Sequence, residues 1–201
     1  MKRSLRIIAV MLFLGLISNA HAGAVGDDTL DAVVRIKSLF PADGDSAAEL
    51  GRERTGNGVV IDAEGTILTL SFLTWNAEKI EVMGPDKQPV AASLIGYDPN
   101  TGFSLLRTDK PLGITPLILG QSSALAVGDR AIAAGAGGDR ELQLTQVVSR
   151  REFAGAWEYL LEDAIFVAPA FEDFSGAALM NSKGQLVGLG YLFLPIIVQG
   201  H

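Results

Sequence analysis

Short apolar runs rich in β-branched residues recur along the chain from residue 32 onward, separated by clusters of Gly, Pro, Asp, Asn and Ser. Alternation and turn signals predict strands over 32–39, 58–61, 66–70, 79–83, 90–97, 103–107, 131–134, 142–149, 165–167, 177–180 and 185–190. Residues 41–54 carry Pro, Gly, Asp and Ser and read as a loop, and residues 23–30 read as a disordered lead-in. Helical periodicity is scarce. Residues 153–161 fit either a helical turn or a strand, since the pattern does not separate the two. Many short strands with regular turns indicate an all-β fold, an antiparallel barrel or sandwich.

Two hairpins share one design. Ile61-Asp62-Ala63-Glu64-Gly65-Thr66-Ile67-Leu68 and Met180-Asn181-Ser182-Lys183-Gly184-Gln185-Leu186-Val187 both run apolar, Asx, two turn residues, Gly, polar, then an apolar pair. The Asx side chain can close the turn on its own backbone, and Gly supplies the positive φ. Their recurrence far apart suggests two similar halves. Residues 108–116, with Pro111, Gly113 and Pro116, form the natural linker.

The amino terminus departs from this pattern. Lys2, Arg3 and Arg6 form a basic head, residues 7–17 are apolar, and Ala20-His21-Ala22 is a small-x-small site. This is expected to be a signal peptide cleaved after Ala22, placing the mature chain in the periplasm or outside the cell. Cleavage takes the formal net charge from −7 to about −10, which disfavours nucleic acid and offers anionic lipid no basic patch. The chain has no cysteine, so disulfides and thiolate zinc are excluded. No cofactor or metal is expected, and no membrane association after cleavage. The apolar stretch 186–198 is short and interrupted by Pro195, and reads as buried strand.

Four segments in order then resemble a known family. Gly56-Asn57-Gly58-Val59-Val60-Ile61-Asp62-Ala63-Glu64-Gly65-Thr66-Ile67-Leu68-Thr69 is similar to G-S-G-V-I-I-D-x-x-G-x-I-L-T, the opening stretch of the HtrA/Deg type of trypsin-like serine protease. Leu94-Ile95-Gly96-Tyr97-Asp98-Pro99-Asn100-Thr101-Gly102-Phe103-Ser104-Leu105-Leu106 is similar to the stretch around that family's aspartate, V-x-G-x-D-P-x-T-D-I-A-L-L. Val127-Gly128-Asp129 resembles the V-G-D that opens the second barrel, and Ser175-Gly176-Ala177-Ala178-Leu179-Met180-Asn181 resembles S-G-G-P-L-x-N after the nucleophile. The resemblance implies two antiparallel β-barrels of the chymotrypsin/trypsin type, the first at about 31–112 and the second at about 113–201, with the active site between them. After Gly188-Leu189-Gly190 the sequence departs from the family. Either residues 192–198 supply a shortened closing strand or the second barrel is truncated.

The resemblance also places the catalytic positions, and two of the three are changed. The nucleophile position is Ser175. The family's histidine falls on Phe72 and its aspartate on Gly102, and the glycine that donates to the oxyanion is Asp173. A serine hydroxyl is a weak nucleophile until a neighbouring base takes its proton. The histidines are His21, in the leader, and His201, at the end of the sequence. Lys79, Lys87 and Lys110 map to surface strands and turns, and Lys183 to a hairpin tip pointing away. Phe72 is expected to fill the space of a histidine, Glu172 and Asp173 to form a solvated acidic loop, and Trp75 and Trp157 to be partly buried packing residues. Ser175 also suits the tight turn as a small residue. The leading expectation is an exported trypsin-like homologue without proteolytic activity, whose cleft binds extended peptides or a periplasmic protein by strand addition. The alternative is an active serine hydrolase using Ser175 with a non-standard base.

Overall fold

The computed structural model describes residues 27–42, 50–136, 142–154 and 160–192. The leader, His21, Trp157 and His201 lie outside them, as do residues 193–198 of the expected closing strand. A helical turn, α1 (Asp27–Asp31), precedes the first strand where the sequence suggested a disordered lead-in. Among the described residues eleven strands follow, and the two halves are built alike.

The first half is a closed six-stranded barrel. Its strands are β1 (Val33–Leu39), β2 (Glu53–Val60), β3 (Ile67–Leu70), β4 (Lys79–Met83), β5 (Pro89–Asp98) and β6 (Phe103–Thr108). Around the barrel they run β1-β2-β3-β6-β5-β4, every pair antiparallel. Alternation explains the burial. On β1, Val34 and Ile36 point inward and meet Val60, Ile67, Ile80, Val82 and Leu106. The loop expected over 41–54 ends earlier, because Glu53 and Arg54 already pair with Leu39 and Ser38 in β2. Both residues are charged, so propensity alone hides them.

The second half is a curled five-stranded sheet of β7 (Arg130–Ala134), β8 (Leu142–Ala154), β9 (Leu160–Ala168), β10 (Ala178–Met180) and β11 (Leu186–Leu189). Its order is β11-β10-β7-β8-β9. Of the ambiguous stretch 153–161, residues 153–154 and 160–161 are strand, the ends of the paired β8 and β9, and residues 155–159 lie outside the described residues. Leu125, Ala131, Val147 and Val187 form its inner core. Both signature hairpins close as the sequence predicts. The Thr66 and Gly65 amides donate to the Asp62 side chain and carbonyl, at 2.8 and 3.1 Å. The Lys183 and Gln185 amides donate to Asn181 Oδ1 at 2.9 and 3.1 Å, and the turn glycines Gly65 and Gly184 have φ of 78° and 74°.

A third core joins the halves. Ala32, Val33 and Val59 of the barrel meet Ile132, Ala134, Ala178, Met180 and Leu186 of the sheet. The linker seals it, with Leu117 buried and its amide donating to the Val60 carbonyl at 2.8 Å. Ser175 meets the first barrel beside this core, its carbonyl accepting from the Asn57 amide at 2.7 Å.

Candidate functional site

Residues 71–73 form a single 3-10 turn directly after β3. Ser71 and Leu73 are its buried members, and Phe72 is half-buried. The Ser71 amide donates to the Gly102 carbonyl at 2.7 Å, so the turn carrying Phe72 and the glycine are neighbours, the two positions to which the resemblance assigns the histidine and the aspartate. The Phe72 carbonyl accepts from Arg54 at 2.6 Å. The Arg54 guanidinium also lies 3.8 Å from the centre of the Phe40 ring, and its burial lowers its pKa.

Gly102 ends the turn between β5 and β6 with φ of 73°, a conformation glycine adopts without steric cost. No carboxylate faces the 3-10 turn from this position. Asp98, nearby in sequence, is occupied in closing its own turn. It accepts from the Asn100 amide at 2.9 Å and the Thr101 hydroxyl at 2.8 Å. These bonds, the Asn100 amide foremost, hold its carboxyl below the ordinary range.

Ser175 sits in the tight turn before β10. The Ala177 amide donates to Phe174 O at 2.9 Å, and Gly176, with φ of 74°, donates to Gly190 O at 2.8 Å. The Ser175 carbonyl is engaged, accepting from the Asn57 amide at 2.7 Å and from Asn57 Nδ2 at 3.1 Å. Its hydroxyl oxygen is enclosed and has no hydrogen-bond partner among the described residues. No described imidazole, amine or carboxylate is within reach to take its proton. Lys79 instead pairs with Glu81 at 2.7 Å. Lys183 stands exposed at its hairpin tip.

Asp173 corrects an expectation. Glu172 is exposed, but Asp173 is not part of a solvated loop. Its carboxylate accepts from both terminal nitrogens of Arg35, at 3.0 and 2.7 Å, with both side chains about three-quarters buried. Arg35 lies on β1, so this two-point pair bridges the halves. The Asp173 carboxylate is thus charge-compensated from the first barrel. Trp75 is about half exposed and packs on Tyr97, with ring centres 4.5 Å apart.

Asn57 escaped the sequence reading. It is fully buried and uses its backbone and its amide together. Nδ2 donates to the carbonyls of Asp173 and Ser175 at 3.0 and 3.1 Å, and Oδ1 accepts from the Ala136 amide at 2.8 Å. Thr69 donates to its carbonyl at 2.8 Å. The signal was its place in Gly56-Asn57-Gly58, where the family pattern has serine: a larger side chain between two glycines in a buried strand needs polar partners. These bonds hold the two halves and the Ser175 turn in register.

The trypsin-like peptidase domain matches residues 56–189. The periplasmic serine endoprotease DegP of Escherichia coli K12 is 32% identical over 142 residues, covering 69% of this chain and 30% of DegP. The periplasmic pH-dependent serine endoprotease DegQ of the same organism is 32% identical over 145 residues, 71% of this chain and 32% of DegQ. The chain thus spans about a third of the length of these relatives. Among solved structures, the HtrA-type protease AlgW with tripeptide superposes with a TM-score of 0.65 at 25% identity, over 81% of this chain and 52% of that one. The active form of the Rv3671c protease from M. tuberculosis gives 0.63 at 20% identity, over 80% and 70%, a likeness of fold. With the closed barrel, the curled sheet and the order of the four motifs, these matches show that the chain belongs to the trypsin-like peptidase family and is of its HtrA/Deg type.

Proposed function

We propose that this protein is a periplasmic HtrA-type homologue that does not cleave peptides and instead binds an extended peptide or a protein segment in the cleft between its halves. One observation carries the reading: the Ser175 hydroxyl is enclosed and unpartnered, with Phe72 and Gly102 where a base and its orienting carboxylate would stand. Without a base, the hydroxyl at neutral pH is a poor nucleophile. Asp173 takes the place of a glycine at the oxyanion position, and its clamp to Arg35 ties the preceding turn to the other half. Peptide binding by strand addition needs backbone groups and pockets, none of which depends on the triad. A solved HtrA-type neighbour with a tripeptide supports a peptide as the ligand class. Two periplasmic relatives and the basic-then-apolar leader support export.

The test pairs chemistry with binding on the mature protein. A serine-directed phosphonate is expected to leave Ser175 unlabelled, and unfolded casein to remain intact. Fluorescent extended peptides are expected to bind equally to the wild-type and Ser175→Ala proteins. Casein turnover that disappears in Ser175→Ala would establish the rival, an active hydrolase with a non-standard base.

A further inference from the structure

The start of β1, the turn between β4 and β5 and the chain just beyond β7 enclose a cavity of about 270 Å³ between the halves. Leu30, Val33 and Met83 give it apolar walls, and Asp31, Arg35 and Lys87 line it too. Alternation puts Val33 and Arg35 on one side of β1, with Asp31 just ahead of the strand, so an apolar middle lies between an acid and a base. Met83 pairs with Arg35, and the turn that follows therefore runs back beside the start of β1, carrying Lys87 with it. Ser175, Phe72 and Gly102 are not among the walls.

Arg35 has donors to offer here. Asp173 takes one N–H from each of its terminal nitrogens, at 3.0 and 2.7 Å, and the fork also carries Nε–H and a second N–H on each terminal nitrogen. Gly135 leaves room for the pair, since a Cβ there would lie 2.7 Å from Asp173 Oδ2. Lys87 has a φ of 58°, a left-handed conformation uncommon for lysine. Local bonds hold this turn: the Lys87 amide donates to the Gly84 carbonyl at 3.0 Å, and the Gln88 amide to Asp86 Oδ1 at 3.1 Å. Glycine would hold the same backbone without steric cost, so what lysine adds at this position is its ammonium.

We propose that this cavity binds a small apolar zwitterion, with its carboxylate on Arg35 and Lys87, its ammonium on Asp31 and its side chain against Leu30, Val33 and Met83. Charge balance selects this class. Arg35 cancels Asp173 and Lys87 cancels Asp31, so a net anion or cation would bring an uncompensated charge to a partly buried seam, whereas a zwitterion brings none. Size limits it further. At about 270 Å³ the cavity lies near the lower end of ligand pockets, about 300 Å³, which admits one or two residues and no longer peptide. A free amino acid and a dipeptide released from a larger chain share this chemistry. The inference does not rest on the function proposed for the cleft.

Isothermal titration calorimetry on the mature protein tests it with L-leucine and L-alanyl-L-leucine. A Kd of about 1 mM or tighter is expected for at least one of them. Leucine alone assigns a free amino acid and the dipeptide alone a peptide fragment, and either result supports the proposal. Leucinamide lacks the carboxylate and 4-methylpentanoate lacks the ammonium, and each is expected to bind about tenfold more weakly than leucine, or worse. Lys87→Gly is expected to weaken the zwitterion by about the same factor while the melting temperature holds or rises, because glycine suits the left-handed turn. Asp31→Asn should erase the advantage of leucine over 4-methylpentanoate. No binding of either zwitterion would overturn the proposal, as would leucinamide or 4-methylpentanoate binding as tightly as leucine. Affinity unchanged in Lys87→Gly would place the ligand elsewhere and overturn it equally. If Asp31→Asn does not fold, the ligand series on the unaltered protein and Lys87→Gly still decide.

Discussion

Replacing Asn57 by Ala removes three side-chain hydrogen bonds from the seam and leaves the Asp173 carbonyl and the Ala136 amide without their partner. Buried backbone groups left in that state cost about 1–3 kcal/mol each, so urea unfolding of Asn57→Ala should show a loss of about 2–6 kcal/mol. Arg35 and Asp173 are a different case, since each retains some water. A double-mutant cycle with Arg35→Met and Asp173→Asn should give a coupling of about 1–2 kcal/mol, between the values for exposed and buried pairs. The same geometry bears on attempts to restore the triad. Phe72→His with Gly102→Asp is expected to yield no measurable casein cleavage, because Asp at a φ of 73° is strained and the Ser175 hydroxyl remains enclosed. At this scale the sequence spoke through motif order, which singled out Ser175, Phe72 and Gly102 by resemblance, and the structure sets Ser71, beside Phe72, against Gly102. It was silent on the partner of Asp173, because Arg35 lies 138 residues away and occupies an outward position of β1, where alternation suggests solvent.

Turns carry the element scale, and here local chemistry made the chain most readable. Asp62, Gly65, Asn181 and Gly184 announce hairpins through side-chain bonds to their own backbone, with no tertiary partner needed. Strand ends were harder. Glu53 and Arg54 are polar, and only pairing with β1 makes them strand. Two turn carboxylates, Asp62 and Asp98, have pKa values below the ordinary one because hydrogen bonds favour their charged form, chiefly from Thr66 and from the Asn100 amide. A carboxyl depressed on folding adds stability at pH above its unfolded pKa, and that contribution fades as pH falls through the folded value. The melting temperature should therefore drop as pH is lowered below about 4, and Asp98→Asn should flatten part of that drop. A slope unchanged by Asp98→Asn in thermal melts would count against this account.

For the whole molecule, the shared core decides behaviour. Val33, Val59, Met180 and Leu186 belong to different halves yet are buried together, so neither half can open without exposing the other. Thermal unfolding is expected to be a single transition. Met180→Ala should lower stability by about 2–5 kcal/mol without splitting that transition, as calorimetry can check. The repeated hairpin and the linker revealed the two-half plan from sequence. The order of strands within each half was not legible, because pairing partners are set by three-dimensional closure.

Gly176 meets the first barrel so closely that a methyl group there would lie 2.1 Å from the Asn57 carbonyl oxygen. Together with the Arg35 clamp, this contact works as a weld rather than a hinge. The jaws of this molecule are set at a fixed gape. Under the proposed function, a segment lying between them would have to match that spacing already, and discrimination would be that of a gauge, with no closing stroke to tighten the fit.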